Sequence, residues 1–269
     1  MNYPSSHQPR KRFGQNFLRD DSVIQRIAAA IAPQADEHLV EIGPGEGALT
    51  AALLSQCRRL DAVEIDRDLA ALLERRFGER HSFHPHRADA LRFDFRALRE
   101  AGEKLRVVGN LPYNISTPLL FHLFAQSDAI RDMYFMLQKE VVERLCAQAG
   151  DSAYGRLGIM AGYYCSAELL FEVSPDSFFP RPRVVSAIVR LLPHATPPVQ
   201  ADPAALGKVV ATAFSQRRKT LRNSLQPLFG EKELRDCGID PAARAETLYL
   251  EDYAALARLY GEKPGRDGR

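Results

Sequence analysis

The sequence predicts an α/β domain with a mostly parallel sheet of about seven strands, followed by a small all-helical domain. Apolar runs with strand character alternate with amphipathic segments through residues 20–193, which is typical of a parallel sheet covered by helices. The prolines of residues 193–203 then mark a linker, and beyond it residues 204–269 carry helical patterns without a strand pattern. The length of 269 residues accommodates one large and one small domain.

The first half of the chain alternates strand and helix patterns. Asp20 or Asp21 can cap a first helix, which extends to Ile31 and carries an apolar stripe. Strands are predicted at residues 38–42, 60–65, 82–86, 105–108 and 133–137. Helices are predicted directly after the glycine-rich residues 43–47, at residues 67–77 and at residues 117–124. This alternation indicates strands that run parallel.

The second half contains two more strands and then helices alone. Residues 169–173 and 184–192 have strand patterns, and the loop between them is too short for a crossover helix. We therefore expect these strands to form an antiparallel pair at the edge of the sheet. Residues 204–214, 217–225 and 252–260 have helical patterns and form the predicted small domain.

The composition is that of an ordinary globular protein, with 45% hydrophobic and 26% charged residues. No apolar run reaches the length of a membrane helix, and residues 1–10 lack the apolar core of a signal peptide. The four cysteines lack the spacing of metal or redox sites, so the sequence predicts reduced thiols and no metal. We expect a cytoplasmic monomer without a membrane partner.

The basic residues are clustered, although the net charge of +2 does not by itself indicate a nucleic-acid-binding protein. The candidates for RNA contact are Arg10, Lys11 and Arg12, then Arg181 and Arg183, and finally Arg217, Arg218, Lys219 and Arg222 on the predicted helix 217–225. Any one cluster is also typical of a solvated surface. The three together favour a polyanionic partner, because phosphate contacts supply much of the affinity for RNA.

Residues 110–113 read Asn-Leu-Pro-Tyr and directly follow the predicted strand at 105–108. The Asn110 side-chain oxygen and a backbone carbonyl of Leu111 or Pro112 can accept hydrogen bonds from an exocyclic amine. The Tyr113 ring can stack on a nucleobase, and the fixed φ of Pro112 stiffens the turn. The motif alone also fits a surface turn.

Glycines and carboxylates follow three further strands. Residues 43–47 read Gly-Pro-Gly-Glu-Gly, which fits a generic α/β turn and also a permissive dinucleotide fingerprint. Glu64 can accept hydrogen bonds from both ribose hydroxyls, and Asp89 can accept one from an adenine amino group. Each carboxylate alone is also an ordinary helix cap. Because parallel strands end at one edge of a sheet, these groups and residues 110–113 predict a single crevice.

Five sequence blocks together resemble the small-subunit ribosomal RNA adenine dimethyltransferase A family. They are residues 13–18, 110–116, 136–141, 154–157 and 216–220, and they extend over most of the chain. Each block alone is weak evidence for this family, but the five blocks together are highly specific for it. The resemblance implies a Rossmann-like class I methyltransferase fold, S-adenosylmethionine as cofactor and the exocyclic amine of adenosine as methyl acceptor.

The resemblance also implies a division of the chain and a set of site residues. It implies a basic N-terminal arm at residues 1–19, a catalytic domain at 20–193, the proline-rich linker at 194–203 and a helical RNA-binding domain at 204–269. The implied cofactor site consists of Asn16, Leu18, Gly43, Gly45, Glu64, Ile65, Asp89, Ala90 and Asn110. The implied catalytic residues are Asn110, Leu111, Pro112, Tyr113 and Phe178, with Phe178 as the stacking face opposite Tyr113.

The implied function is dimethylation of two adjacent adenosines in a loop near the 3′ end of small-subunit (16S) rRNA, with an immature small ribosomal subunit as the partner. A related large-subunit rRNA adenine dimethyltransferase of the antibiotic-resistance type is the first alternative, although residues 13–18 and 216–220 favour the small-subunit family. A ribosome-assembly factor that acts mainly by binding is the second. An NAD-linked oxidoreductase is the third, and it leaves residues 110–113 unexplained.

Overall fold

The computed structural model describes residue 10 and residues 14–100, 102–216 and 218–263. The chain divides into two compact units. The first comprises Met1–Val142 and Glu168–Pro193, and the second comprises Glu143–Ala167 and His194–Arg269. One boundary therefore falls at residue 193, where the sequence predicts the end of the large domain. The expected extent of that domain is nevertheless corrected, because residues 143–167 cluster with the C-terminal segment instead.

The predicted seven-stranded sheet is confirmed. The strands are β1 (Phe17–Leu18), β2 (His38–Ile42), β3 (Arg59–Glu64), β4 (Phe83–Arg87), β5 (Leu105–Asn110), β6 (Ile130–Gln138), β7 (Cys165–Val173), β8 (Phe178–Phe179) and β9 (Ser186–Pro193). Among the described residues, seven strands form one sheet in the order β4-β3-β2-β5-β6-β9-β7. The remaining two, β1 and β8, pair antiparallel in a small separate sheet.

Most of the sheet is parallel. β2 runs parallel to both β3 and β5, β3 to β4, and β5 to β6, whereas β6 and β9 are antiparallel. β7 lies beside β9 at the edge, where the sequence predicts the last pair of strands. All residues of β2 are buried, which explains why this strand has an almost continuous apolar pattern.

Local sequence explains where several helices begin. The helices are α1 (Asp21–Ile31), α2 (Ala48–Leu53), α3 (Arg67–Phe77), α4 (Ser116–Phe124), α5 (Lys139–Cys146), α6 (Arg156–Tyr164), α7 (Pro203–Ala213), α8 (Leu221–Ser224), α9 (Glu231–Asp236) and α10 (Leu250–Gly261). Asp20 caps α1 by accepting hydrogen bonds from the backbone N–H groups of Ser22 and Val23. Asp66 caps α3 in the same way through the N–H of Asp68. None of the described helices is long and apolar enough to cross a membrane.

The second unit has its own apolar core. Buried side chains of α6, α7 and α10 include Leu157, Met160, Leu206, Val209, Leu256 and Tyr253. α6 contacts both α7 and α10, which is the physical reason that residues 143–167 belong to this unit. The sequence patterns do not predict α5, α6 or α9.

The helix predicted over residues 217–225 is shorter in the structure. Only α8 is helical there, because Thr220 has an extended backbone and pairs with Arg244 in an antiparallel bridge. Arg218 and Lys219 therefore lie in a turn before α8, and only Arg222 lies on the helix. The expected helical stripe of basic residues is thus corrected for these three positions, and Arg217 lies outside the described residues.

A buried ion-pair network holds the start of β5, the strand that ends at Asn110. The Arg106 guanidinium is buried, and its Nε donates to Asp132 Oδ1 on β6 at 2.9 Å. Its Nη1 donates to Glu37 Oε2 at 2.7 Å, and its Nη2 donates to the backbone oxygen of Ile31 at the end of α1 at 2.8 Å. Because the charge is fully paired, burial of this arginine is compatible with a stable sheet.

Candidate active site

One cavity lies where β2, β3, β4 and β5 end. It has a volume of about 230 Å³ and is lined entirely by residues of the first unit. Its lining includes these predicted site residues: Asn16, Leu18, Gly43, Gly45, Glu64, Ile65, Asp89, Ala90, Asn110, Leu111, Pro112 and Tyr113. The structure therefore brings together every predicted cofactor residue and four of the five predicted catalytic residues.

The glycine-rich turn after β2 requires glycine at more than one position. Gly43 and Gly45 have φ values of 65° and 59°, a region that L-residues with side chains rarely adopt. A Cβ atom on Gly45 would also lie 3.1 Å from the ring of Phe17. The turn thus combines an open backbone on the cavity with close packing against the N-terminal arm.

Glu64 ends β3 with its carboxylate held in place from both sides. Its side chain is buried, its Oε2 accepts the Gly45 N–H at 3.2 Å, and its Oε1 accepts the Asp66 N–H at 2.9 Å. Each carboxylate oxygen retains a further lone pair, so Glu64 can still accept two hydrogen bonds from a pair of hydroxyls. Burial raises the pKa of Glu64, and the charge of Asp66 adds to the rise.

Glu41 is absent from the predicted site, yet it lines the same cavity from within β2. Its carboxylate is buried, and Oε2 accepts a hydrogen bond from Thr50 Oγ1 at 2.6 Å. Burial raises the pKa of Glu41 to about 7, and the charge of Glu64 adds to the rise. The signal in the sequence is a carboxylate inside a buried strand, a placement that ionisable residues seldom take without a special environment.

Another part of the cavity lining combines apolar surface with one carboxylate. Ile65 is 47% exposed although it is a large aliphatic residue, and it lines the cavity together with Ala90 and Asp89. Asp89 Oδ1 accepts the Leu91 N–H at 3.0 Å. A flat purine with an amino group fits such a surface, since the aliphatic groups can cover its faces and Asp89 can accept from its edge.

Asn110 ends β5 with its amide orientation fixed. Its Nδ2 donates to the backbone oxygen of Asn16 at 3.0 Å, which ties the N-terminal arm to the Asn-Leu-Pro-Tyr turn. Its Oδ1 accepts no hydrogen bond from any residue in the described part of the chain. The side chain thus presents an acceptor, rather than a donor, for a further group.

The rest of the turn is also held by hydrogen bonds. The Leu111 N–H donates to Met136 O at 3.1 Å, and the Pro112 carbonyl accepts the Ile115 N–H at 3.1 Å. The hydroxyl of Tyr113 lies 2.7 Å from Ser186 Oγ, and Ser186 is buried in β9. Burial raises the pKa of Tyr113. Ser186 is a second residue that the sequence patterns do not place at the site.

Phe178 does not lie where the resemblance implies. Its side chain is only 5% exposed and belongs to the hydrophobic core, and it is not part of the cavity lining. The cause is the pairing of β8 with β1, which sets Phe178 opposite the buried Leu18. The expectation that Phe178 forms the stacking face opposite Tyr113 is therefore corrected for this structure: Phe178 anchors the loop.

The predicted RNA-contact residues have different surroundings. Arg10 Nη1 forms an ion pair with Asp66 at 2.8 Å and its Nη2 contacts Asp68, so its guanidinium holds the arm against the start of α3. Arg181 forms an exposed pair with Asp176, and Arg222 lies 3.9 Å from Glu231. The residues that are exposed at the surface are Arg181, Arg183, Arg218, Lys219 and Arg222. Lys11 and Arg12, like Arg217, lie outside the described residues.

Comparison with known proteins decides the class of this site. The sequence profile of the family described as "Ribosomal RNA adenine dimethylase" matches residues 6–262. A protein of Methylococcus capsulatus named "Ribosomal RNA small subunit methyltransferase A" is 60% identical over 94% of this chain and 98% of its own length. The chain belongs to the ribosomal RNA adenine dimethylase family.

Solved structures have the same fold. A dimethyladenosine transferase from Plasmodium falciparum has the same fold with a TM-score of 0.77 at 24% identity, over 91% of this chain and 98% of that one. The 23S rRNA methyltransferase ErmE gives a TM-score of 0.68 at 27% identity, over 92% of this chain and all of that one. As a member of the adenine dimethylase family, the chain is an S-adenosylmethionine-dependent methyltransferase with the class I fold.

Proposed function

We propose that this adenine dimethylase modifies the exocyclic amines of two adjacent adenosines in a loop near the 3′ end of 16S rRNA. The observation that carries the proposal is that Asn110, whose amide orientation is fixed, lines the same cavity as Glu41 and Glu64. The name and high identity of the Methylococcus relative support the small subunit as substrate. That the particle is immature, and that the chain acts as a cytoplasmic monomer, stay predictions.

The cavity residues fit the cofactor in three places. We assign the ribose hydroxyls to Glu64, whose free lone pairs match two donors, and the adenine to Asp89, Ile65 and Ala90. The methionine part is assigned to the backbone of Gly43 and Gly45, with Asn16 and Leu18 on the arm above it. When bound, S-adenosylmethionine supplies an electrophilic methyl group on a sulfonium. The negative carboxylates nearby favour a ligand that carries positive charge.

The methyl acceptor is assigned to the Asn110–Tyr113 turn. Asn110 Oδ1 and the Leu111 carbonyl would accept hydrogen bonds from the adenine amine, which favours a pyramidal nitrogen and stabilises the positive charge that develops on it. Leu111 is preferred over Pro112 because the Pro112 carbonyl already accepts the Ile115 N–H. The bond between Tyr113 and Ser186 fixes the ring on which the flipped base would stack. The alkylated amine loses its proton readily, so the mechanism needs no general base.

Transfer of labelled methyl groups tests the substrate directly. Immature small subunits and large subunits, each incubated with the protein and labelled S-adenosylmethionine, are digested and their nucleosides separated. We expect dimethyladenosine from small subunits and none from large ones. Label in the large subunit alone would instead support a large-subunit rRNA methyltransferase. The 27% identity with the 23S rRNA methyltransferase ErmE is the reason to test this alternative. Absence of dimethyladenosine from both would exclude the proposal.

Cofactor affinity is expected to rise with pH because of Glu41. Burial raises the pKa of this carboxyl to about 7, so below that pH the group is largely protonated. A cationic ligand favours the ionised form, and binding at lower pH must therefore also remove a proton. Calorimetry should give a Kd about tenfold weaker at pH 6 than at pH 8, since one pH unit below the pKa costs a factor of ten.

The control for this pH effect is Glu41→Gln, which keeps the shape of the side chain and cannot ionise. Its Kd should vary little between pH 6 and pH 8, and at pH 8 it should bind the cofactor more weakly than the wild type. A wild-type Kd that stays constant over this range would show that Glu41 does not ionise on binding.

Charge reversal at Arg218 is expected to weaken binding to RNA and leave the cofactor site intact. Arg218 is exposed in the second unit, and a phosphate contact there would be lost and replaced by repulsion. We expect Arg218→Glu to weaken binding to small subunits about tenfold and to lower its salt dependence. Arg235→Glu is the matched control, because Arg235 is also exposed in the same unit but already pairs with Glu231. Equal loss of RNA and cofactor binding would indicate a folding defect instead.

A further inference from the structure

The aromatic ring of Phe179, on strand β8, is half exposed to solvent. Its side chain is 50% exposed, whereas the adjacent Phe178 is 5% exposed. Successive residues of a strand point to opposite sides, and β8 pairs with β1 through Phe17 opposite Phe179 and Leu18 opposite Phe178. Phe178 and Phe179 therefore lie on opposite sides of β8, with Phe178 on the buried side and Phe179 half exposed on the other.

A cation covers one face of this ring. The Arg19 guanidinium carbon lies 4.5 Å from the centre of the Phe179 ring, and Arg19 Nη2 lies 3.6 Å from Glu46 Oε2. Glu46 lines the cavity, as does Phe17. Phe179 is not itself a lining residue, but the Arg19 guanidinium over its ring lies close to Glu46, and its strand partner is Phe17, so the ring lies next to the cavity lining.

The residues that follow the ring are basic and apolar. Arg181 and Arg183 are exposed, and Val184 and Val185 are 41% and 37% exposed. Arginines suit phosphates, and exposed rings suit unstacked bases, so this combination is complementary to single-stranded RNA. Phe178 already packs in the hydrophobic core, whereas Phe179 does not belong to that core cluster.

We propose that Phe179 stacks on a nucleobase next to the target adenosine and so holds the RNA beside the cavity. This proposal rests on the proposed function, since it requires an RNA substrate. It assigns the arginine-backed ring to the flanking base, whereas the flipped adenosine itself belongs to the cavity at Tyr113. Arg181 and Arg183 would face the phosphates on either side.

The test compares Phe179→Leu, Phe179→Tyr and the wild type. Loss of one base-stacking contact should raise KM for small subunits, and their Kd, about tenfold in Phe179→Leu, with kcat and the Kd of S-adenosylmethionine unchanged. Phe179→Tyr keeps the aromatic face and should restore both values. Leu192→Ala is the matched control, because Leu192 is 41% exposed on β9 and its removal takes away exposed apolar surface without a ring.

Several outcomes would overturn this assignment. Unchanged KM and Kd in Phe179→Leu, or an equal change in Leu192→Ala, would show that the ring does not contact RNA. A lower melting temperature or weaker cofactor binding in Phe179→Leu, without rescue by tyrosine, would show a structural role. Because Kd for small subunits is measured without transfer, failure here is distinct from failure of the proposed function, in which the wild type would bind but form no dimethyladenosine.

Discussion

Asn110→Ala is expected to lower the rate of methyl transfer to small subunits by roughly a hundredfold to a thousandfold, the range seen when one preorganised partner of a developing charge is removed. The variant loses the Oδ1 acceptor of a cavity-lining residue, and with it the proposed hydrogen bond that would favour a nucleophilic nitrogen. It also loses the 3.0 Å bond from Nδ2 to the Asn16 carbonyl. Single-turnover transfer at saturating cofactor measures the chemical effect.

Asn110→Asp separates these two losses. The carboxylate keeps an acceptor for the amine but cannot donate to Asn16, so this variant should transfer methyl groups faster than Asn110→Ala. Its cofactor Kd reports the loss of the arm contact together with the effect of the added negative charge, which favours the cationic cofactor. Retention of more than about a tenth of the wild-type rate in Asn110→Ala would remove Asn110 from the mechanism.

Asn110→Ala also distinguishes a catalytic role of the protein from a role in subunit assembly. Asn110 lies in the first unit, whereas Arg218 and Lys219 lie in the second. We therefore expect Asn110→Ala to bind small subunits with nearly wild-type affinity. If cells that carry only this variant still assemble subunits normally, the binding role dominates, and if they do not, methyl transfer itself is required.

Glu64→Ala is expected to weaken cofactor binding by at least about a hundredfold, because two hydrogen bonds to one charged group are lost and each contributes more than a neutral bond. The backbone N–H groups of Gly45 and Asp66 would also lose their acceptor, which loosens the glycine-rich turn. Calorimetric titration with S-adenosylmethionine measures the effect.

Two controls accompany the substitution of Glu64. Glu64→Gln retains one acceptor oxygen and should bind with intermediate affinity. Glu74→Gln removes a charge from the exposed surface of the neighbouring helix α3 and should bind like the wild type. If Glu64→Ala binds the cofactor as tightly as Glu74→Gln, then Glu64 does not hold the ribose.

The sequence predicts much of the first unit because local signals and burial agree there. The bounds predicted for residues 38–42 and 67–77 coincide with those of β2 and α3, since one is a buried run and the other begins at the Asp66 cap. The roles given to residues around the cavity stay predictions, although the structure places Glu64, Asp89 and Asn110 together.

The remaining errors have long-range causes. Phe178 is buried because it packs into a core cluster with residues from distant parts of the chain, and the two adjacent phenylalanines look alike in the sequence. The end of the helical pattern before Thr220 depends on its bridge to Arg244, which follows much later in the chain. The position of Glu41 at the cavity depends on how close β2 lies to Glu64. The spacing of residues along the sequence does not give that distance.

The small β1–β8 sheet has a kinetic consequence. Dimethylating two adenosines would consume a fresh cofactor for every methyl group delivered, and both residues of β1 line the cavity that we propose to hold the cofactor. If cofactor exchange displaces the arm, the pairing of β1 with β8, the strand that bears Phe179, is broken in the same step. Replacement of the spent cofactor and release of the rRNA would then occur in the same step. Partially methylated intermediates should therefore appear free in solution during the reaction.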